Sequence, residues 1–221
     1  MAILANHGVL QEHTLSYKVT GKLPAHQAGD LLVVHVGNYQ GGAYSWSETA
    51  STGSVAWASA EDAGSLYHGH AVWYKIAESN NESNPSFDWS YGVDNRASAG
   101  YCFVIRGLSA SAYIHQTSKN DATTFTNPAT QAVVTNTVVN TLNLFFSLLE
   151  RNGILQYEPD VNQIYASGGG NLTLSMSGAI LPQQTASTTP AVSIHSESNS
   201  TSGASSTITI SIKDDGTTGV S

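Results

Sequence analysis

The stretch SSTITISIK, residues 205–213, decides the fold of this chain. Isoleucine alternates with serine or threonine along it, so every second side chain is apolar. A period of two matches a β-strand, whose side chains leave opposite faces in turn, whereas an amphipathic helix repeats its apolar positions every three or four residues. The segment therefore predicts a strand with one face on a core.

Similar patterns recur along the whole chain. Residues 141–150 have helical length as well, but the Thr/Val run before them favours a strand. In segment 171–180, Leu174 and Met176 are expected to face the core, and Ser175 and Ser177 to face solvent. Besides 205–213, strands are predicted at Leu15–Val19, Leu31–Val36, and residues 66–77, 85–91, 99–108, 141–150 and 171–180.

The composition points the same way. Only 11% of the residues are charged, less than half of the quarter or so found in ordinary soluble domains. In their place stand 29 Ser, 21 Thr, 15 Asn and 20 Gly, which suit strands and turns better than helices. Hydroxyls and amides are therefore expected to supply much of the solvated surface.

Roughly ten predicted strands without a helix indicate an all-β fold. We predict a single-domain β-sandwich of jelly-roll type over residues 1–221, with no internal repeat visible in the sequence. The Ser/Thr-rich segments 183–206 and 214–221 are expected to be exposed loops and a tail, the alternative being an arm that grasps a partner. Segment 183–206 also contains the strand-like AVSIHS.

Charge and cysteine content narrow the classes of function. A net charge of -8 with scattered cations disfavours nucleic acid and anionic membranes as partners, since both attract clustered Lys and Arg. The single cysteine, Cys102, cannot form an internal disulfide. Together with the lack of a signal-peptide pattern in MAILANHGVL, this predicts synthesis in a reducing cytoplasm.

Motifs for chemistry are weak. His68 and His70 share a strand face and offer a conceivable metal pair, with Glu61 or Asp62 nearby, but ordinary polar strand positions are the simpler interpretation. No nucleophile elbow, H-E-x-x-H or P-loop occurs. The pairs Asp88 with Asp94 and Glu158 with Asp160 are better read as turn and surface carboxylates than as glycosidase acids. We therefore predict no catalytic residue, no metal and no cofactor.

The aromatic residues allow two interpretations. Trp57, Trp73 and their neighbours either form the core of the sandwich or, where exposed, stack against sugar rings. The core is the preferred interpretation. The candidate glycan-binding residues of the alternative are Tyr44, Trp46, Trp89 and Tyr91.

The order of the segments resembles a recurrent module of phage virion structural proteins. In that module a G-D-L-L strand is followed by a strand ending in Y-K-x-A, a short aromatic strand, and an aliphatic strand that ends at a glycine. The matching segments, which span most of the chain, are GDLLVVHVG (29–37), AVWYKIAES (71–79), PSFDWS (85–90), AGYCFVIRGL (99–108), LNLFFSLLERNG (142–153) and STITISIK (206–213).

The resemblance implies a structural role in a virion that is assembled in the host cytoplasm. Such proteins are jelly-roll or Ig-like sandwiches that decorate capsids or form parts of tails and fibres. We expect a non-enzymatic capsid decoration (cement) protein, a homotrimer that clamps neighbouring subunits of the major capsid protein. The alternative is a tail or tail-fibre module that recognises a host surface glycan.

Overall fold

The computed structural model describes residues 2–8, 11–13, 18–39, 46–50, 57–65, 68–89, 98–108, 113–150, 153, 155–158, 161–167, 174–196 and 203–213. These residues form seventeen strands and no helix, so the all-β prediction is confirmed. The strands are β1 (Ile3–His7), β2 (Gln11–His13), β3 (Lys18–Thr20), β4 (Leu31–Tyr39), β5 (Trp46–Ala50), β6 (Ala58–Ser65), β7 (His68–Ile76), β8 (Ser86–Trp89), β9 (Ser98–Arg106), β10 (Ile114–Ala122), β11 (Ala129–Thr130), β12 (Thr141–Leu149), β13 (Leu155–Glu158), β14 (Asn162–Ser167), β15 (Ser175–Gln183), β16 (Ser193–Ser196) and β17 (Ser205–Lys213).

The strands form four antiparallel sheets, two from each half of the chain. Residues 2–108, the first half, supply inner sheet 1, in the order β1-β9-β4-β7-β6 with β2 also paired to β9, and outer sheet 1, in the order β3-β8-β5. Residues 113–213, the second half, supply inner sheet 2, in the order β10-β17-β12-β15-β14, and outer sheet 2, in the order β11-β16-β13.

Three hydrophobic clusters show that the sheets stack in four layers. Phe103 of inner sheet 1 and Phe146 of inner sheet 2 belong to the central cluster, so the inner sheets pack face to face. Phe87 joins outer sheet 1 to inner sheet 1, and Phe145 and Ile194 join inner sheet 2 to outer sheet 2. Central strands of the inner sheets are buried on both faces, which explains their long apolar runs.

The two halves have the same topology. If the short β2 is set aside, each half has eight strands. In chain order, these strands belong to the inner, outer, inner, outer, inner, inner, outer and inner sheet of that half. The inner sheet of each half places its first, last, third, sixth and fifth strands side by side, and the outer sheet places the second, seventh and fourth. The chain is therefore a tandem repeat of one fold.

The repeated unit has jelly-roll connectivity. In a jelly roll, an eight-stranded ribbon folds over so that first pairs with eighth, second with seventh and third with sixth. These pairings occur as β1–β9, β3–β8 and β4–β7, and again as β10–β17, β11–β16 and β12–β15. The fifth strand departs from the pattern, since it pairs with the sixth in the inner sheet.

The sequence shows no repeat because the two halves share pairing geometry rather than residues. A strand needs only the right alternation of side chains, so equivalent strands of the two halves can carry different residues. For example, β4 and β12 are the third strands of their halves, and His35 of β4 lies against Phe146 of β12 with ring centroids 4.8 Å apart. Whether residues 1–221 behave as a single domain stays a prediction for unfolding experiments.

One prediction about the surface was wrong. Ser175 and Ser177, expected to face solvent, are fully buried, as are Thr209 and Ser211 on β17. The reason is outer sheet 2, which covers the face of inner sheet 2 that the alternation had left to water. Many serine and threonine hydroxyls of this chain are thus buried in the interior.

The Ser/Thr-rich segment 183–206 is more than an exposed loop. It includes β16, with Val192 and Ile194 buried in the outer core of the second half. Thr188 forms a β-bridge with Thr135. Segment 214–221 lies outside the described residues.

Candidate functional site

Two of the four residues predicted for a sugar site lie in the described part of the chain. Trp46 begins β5 and Trp89 ends β8, and they are direct cross-strand partners in outer sheet 1. Tyr44 and Tyr91 lie outside the described residues. The side chains of Trp46 and Trp89 lie outside the described part of the structure. The sugar site stays a prediction.

The other two tryptophans pack in the hydrophobic core of the first half, which is the interpretation that the sequence favoured. Trp57 is 6% exposed and meets Phe87 edge to face, with ring centroids 5.9 Å apart, while Trp73 packs on the same ring at 5.4 Å. Cys102 lies in this cluster, fully buried, and burial raises the pKa of its thiol. A protonated buried thiol is inert.

Glu61, the carboxylate suggested beside His68 and His70, interacts with the second half of the chain. Glu61 accepts a hydrogen bond from Thr117 Oγ1 at 2.9 Å and lies 3.5 Å from Lys119 Nζ. The side chains of His68 and Asp62 are outside the described part of the structure. Within the described residues, no three or more His, Cys, Asp or Glu side chains gather as they would around a metal ion.

His70 takes part in a buried hydrogen-bonded group between the halves, which we call the histidine network: Tyr165, His35, His70 and Ser206. His35 Nε2 and His70 Nε2 lie 2.6 Å apart. His35 Nδ1 contacts the Tyr165 hydroxyl, and His70 Nδ1 lies 2.7 Å from Ser206 Oγ. Since β4 and β7 carry the histidines and β14 and β17 carry the hydroxyls, the network joins inner sheet 1 to inner sheet 2.

All three contacts can be hydrogen bonds only if donation runs in a single direction along the network. If His35 Nε2–H donates to His70 Nε2, then His35 Nδ1 accepts from the Tyr165 hydroxyl and His70 Nδ1–H donates to Ser206 Oγ. Reversing every donor gives a second, equally consistent arrangement. In both arrangements each imidazole is neutral and all three contacts are hydrogen bonds.

Burial keeps His35 and Tyr165 uncharged. His35 is fully buried, and burial lowers its pKa to about 3. Burial also raises the pKa of Tyr165 well above its usual value, a direction that the nearby Tyr157, Tyr101 and Cys102 reinforce. These two side chains are therefore neutral hydrogen-bonding partners over the ordinary pH range.

Aromatic stacking extends the network toward the surface. The rings of Tyr101 and Tyr165 stack with centroids 3.9 Å apart and planes 13° apart. The Tyr101 hydroxyl lies 2.6 Å from Nδ1 of the exposed His7. Gly178 makes this packing possible, because a Cβ atom there would collide with the ring of Tyr165.

A second buried polar group fixes the two sheets of the second half to each other. Gln131 Nε2 donates to Ile208 O at 2.9 Å, and its Oε1 accepts from Ser147 Oγ at 3.0 Å. The Tyr157 hydroxyl lies 2.9 Å from Ser147 Oγ and 3.2 Å from Ser177 Oγ. The buried hydroxyls of Ser147, Tyr157 and Ser177 thus act as partners for one another.

Arg106 and Lys75 form ion pairs in the turn regions at one end of inner sheet 1, and Lys75 has Glu78 as a second partner at 3.4 Å. Arg106 donates to both carboxylate oxygens of Asp30 at 2.7 Å; burial alone would raise the pKa of Asp30, but this pairing and the Gln27 N–H lower it. Lys75, 2% exposed, lies 2.9 Å from Glu82. Both cations thus link a strand of inner sheet 1 to an adjoining turn.

The suggested glycosidase carboxylates do not form a described pair. Glu158 lies 3.2 Å from His195 on the neighbouring strand of outer sheet 2. Asp94, Asp160 and the side chain of Asp88 lie outside the described residues.

Sequence reasoning missed His35 and Tyr165, the centre of the network. A signal for His35 was present, because a lone histidine interrupts the apolar run LLVVHV and a buried histidine needs partners. Nothing in the sequence places Tyr165 beside it, since 130 residues separate the two.

Comparison with known proteins finds no matching family model, no matching curated protein and no matching solved structure. Across the described ranges, no helix has the length and apolar character needed to cross a membrane.

Proposed function

We propose that this protein is a non-enzymatic structural component of a phage virion, a decoration protein that binds neighbouring major-capsid subunits as a homotrimer. The order of segments from GDLLVVHVG (29–37) to STITISIK (206–213) is the sequence support. The proposal assigns no cofactor, nucleic acid or membrane to the protein.

The tandem repeat is the observation that carries this proposal. Two halves with the same strand order present the same set of sheet edges twice. Neighbouring capsid subunits are copies of one another, so a protein that bridges them benefits from two related surfaces. One half would contact one subunit and the other half the next.

Rigidity and low charge suit the same role. The inner sheets share one hydrophobic cluster, and the histidine network adds hydrogen bonds across it. With 11% charged residues, the chain can lie against another protein with little desolvation of ions.

We expect the purified protein to have three times the chain mass of 23.2 kDa in solution and to co-sediment with capsids. The assay compares capsids stripped of their decoration with capsids that retain it, because occupied sites block specific binding. Saturable binding to stripped capsids alone supports the proposal. Equal binding to both, or no binding to either, contradicts it.

The alternative, a tail module for host glycan, rests on the cross-strand pair Trp46 and Trp89. It predicts that Trp46→Ala or Trp89→Ala abolishes saturable binding to host cells without lowering the unfolding midpoint. Val139→Ala serves as the control, since Val139 is 56% exposed and lies in the other half. Loss of binding only in the tryptophan variants would favour the tail module over the decoration protein.

A further inference from the structure

The histidine network is a fully buried polar connection between the two halves, and its neighbours in the central cluster are apolar. Its surroundings in the central cluster are Phe103, Phe146 and Ile208, which offer no counter-charge. His35 contacts the Phe146 ring at 4.8 Å and lies 5.9 Å from the Tyr165 ring. Any charge formed on His35 would therefore face aromatic carbon and a hydroxyl.

The network has a fixed capacity for protons. One extra proton can be accommodated by hydrogen bonds, since both Nδ1 atoms can donate to the hydroxyl oxygens while Nε2–H···Nε2 is kept. This proton still places a charge in the core. A second proton cannot be accommodated, because two N–H groups would then oppose each other across 2.6 Å.

Among the side chains that the structure describes, the titratable and charged groups on the packed elements give no compensation to His35. On β9 and β14 these groups are Tyr101 and Tyr165, which stay neutral in acid. Tyr101 contacts His7 on β1, and a histidine supplies no negative charge. On β6, Glu61 is engaged by Thr117 Oγ1 and Lys119 Nζ of β10. On β12 and β17 the facing residues are Phe146 and Ser206.

We infer that the histidine network is an acid-released latch between the two jelly rolls. At neutral pH it fixes the inner sheets against each other. In acid the separated form binds a proton at His35 more readily than the closed form does, so falling pH favours separation. Each half keeps its own ladder hydrogen bonds and its outer core when the inner faces part.

The direction follows from the pKa of His35. It is about 3 in the folded protein, below the ordinary histidine value of about 6.5. The closed form therefore has its full stability above about pH 6.5 and loses it progressively as the pH falls toward 3. This inference does not depend on the proposed virion role.

The test is an acid titration of the full chain followed by near-UV and far-UV circular dichroism and by ¹⁵N spectra of the imidazoles. We expect the near-UV contribution of the aromatic rings at the junction to be lost near pH 4, with the tryptophan contribution of the outer core and the far-UV β-signal retained, and His35 to stay neutral until then. Simultaneous loss of the junction contribution and the far-UV signal would contradict the latch. So would titration of His35 near pH 6.5 with the near-UV signal intact.

Two variants sharpen the result. His35→Gln removes one titrating group and keeps an amide for hydrogen bonding, so the acid midpoint should fall by about half a pH unit or more. His195→Gln, at a partly exposed histidine in outer sheet 2, should leave the midpoint unchanged. An equal shift of the acid midpoint in both variants would show that the histidine network is not the cause. If His35→Gln does not fold, the imidazole spectra of the unaltered protein still decide.

Discussion

Lys75→Met should lower the free energy of unfolding by about 3–5 kcal/mol, the cost of removing one partner from a buried ion pair. The side chains of Lys75 and Glu82 are 1% and 5% exposed, and their charged atoms lie 2.9 Å apart. Methionine fills the lysine stem but leaves the Glu82 carboxylate without this cation. Urea unfolding followed by circular dichroism gives the difference.

Two comparisons test the cause. Adding Glu82→Gln to Lys75→Met removes the orphaned charge and should recover most of the lost stability. Lys119→Met breaks the exposed pair with Glu61, whose side chains are 45% and 20% exposed, and should cost only about 0–1 kcal/mol. A similar loss in Lys75→Met and Lys119→Met would show that burial is not the cause.

Phe146→Ala should also cost about 3–5 kcal/mol, as expected for truncating a fully buried phenylalanine. The ring lies between His35 and Phe103 of the first half, at 4.8 and 5.5 Å between centroids. All four tryptophans, residues 46, 57, 73 and 89, are in the first half. Because the Phe146 ring packs on the first half, tryptophan fluorescence should report the loss of stability that this substitution in the second half causes.

Phe125→Ala is the sharper control for coupling between the halves. Phe125 is buried in the cluster between inner sheet 2 and outer sheet 2, away from the central junction. If the chain unfolds as one unit, this variant also lowers the midpoint of the tryptophan transition. An unchanged tryptophan midpoint in Phe125→Ala would mean that the halves unfold independently, against a single-domain chain.

Strands could be predicted from the sequence because local alternation determines them. The predicted segments 205–213 and 141–150 match β17 and β12, and Leu31–Val36 lies within β4. Polar strands could not be predicted in this way. Strand β10, IHQTSKNDA, carries little apolar signal and is placed by its pairing with β17.

The layering could not be predicted, because alternation tells which residues share a face but not what covers that face. The serines of β15 look solvent-exposed by composition and are buried only because outer sheet 2 lies over them. The tandem repeat was equally hidden, since jelly-roll pairing is long-range and tolerates unrelated side chains.

Of the histidine network, only His70 was singled out from the sequence as a candidate site residue. It was singled out for its neighbour His68, but its partner is His35, 35 residues away on the adjacent strand. A hydrogen bond between strands depends on register, which a single sequence leaves undetermined.

The most direct measurement for the proposed role is a cryo-EM reconstruction of intact particles that contain this chain. We expect density for trimers of the tandem jelly roll on the outer capsid surface, with the two halves of each chain against two adjacent major-capsid subunits. Density confined to the tail or its fibres, with a bare capsid surface, would contradict the decoration role.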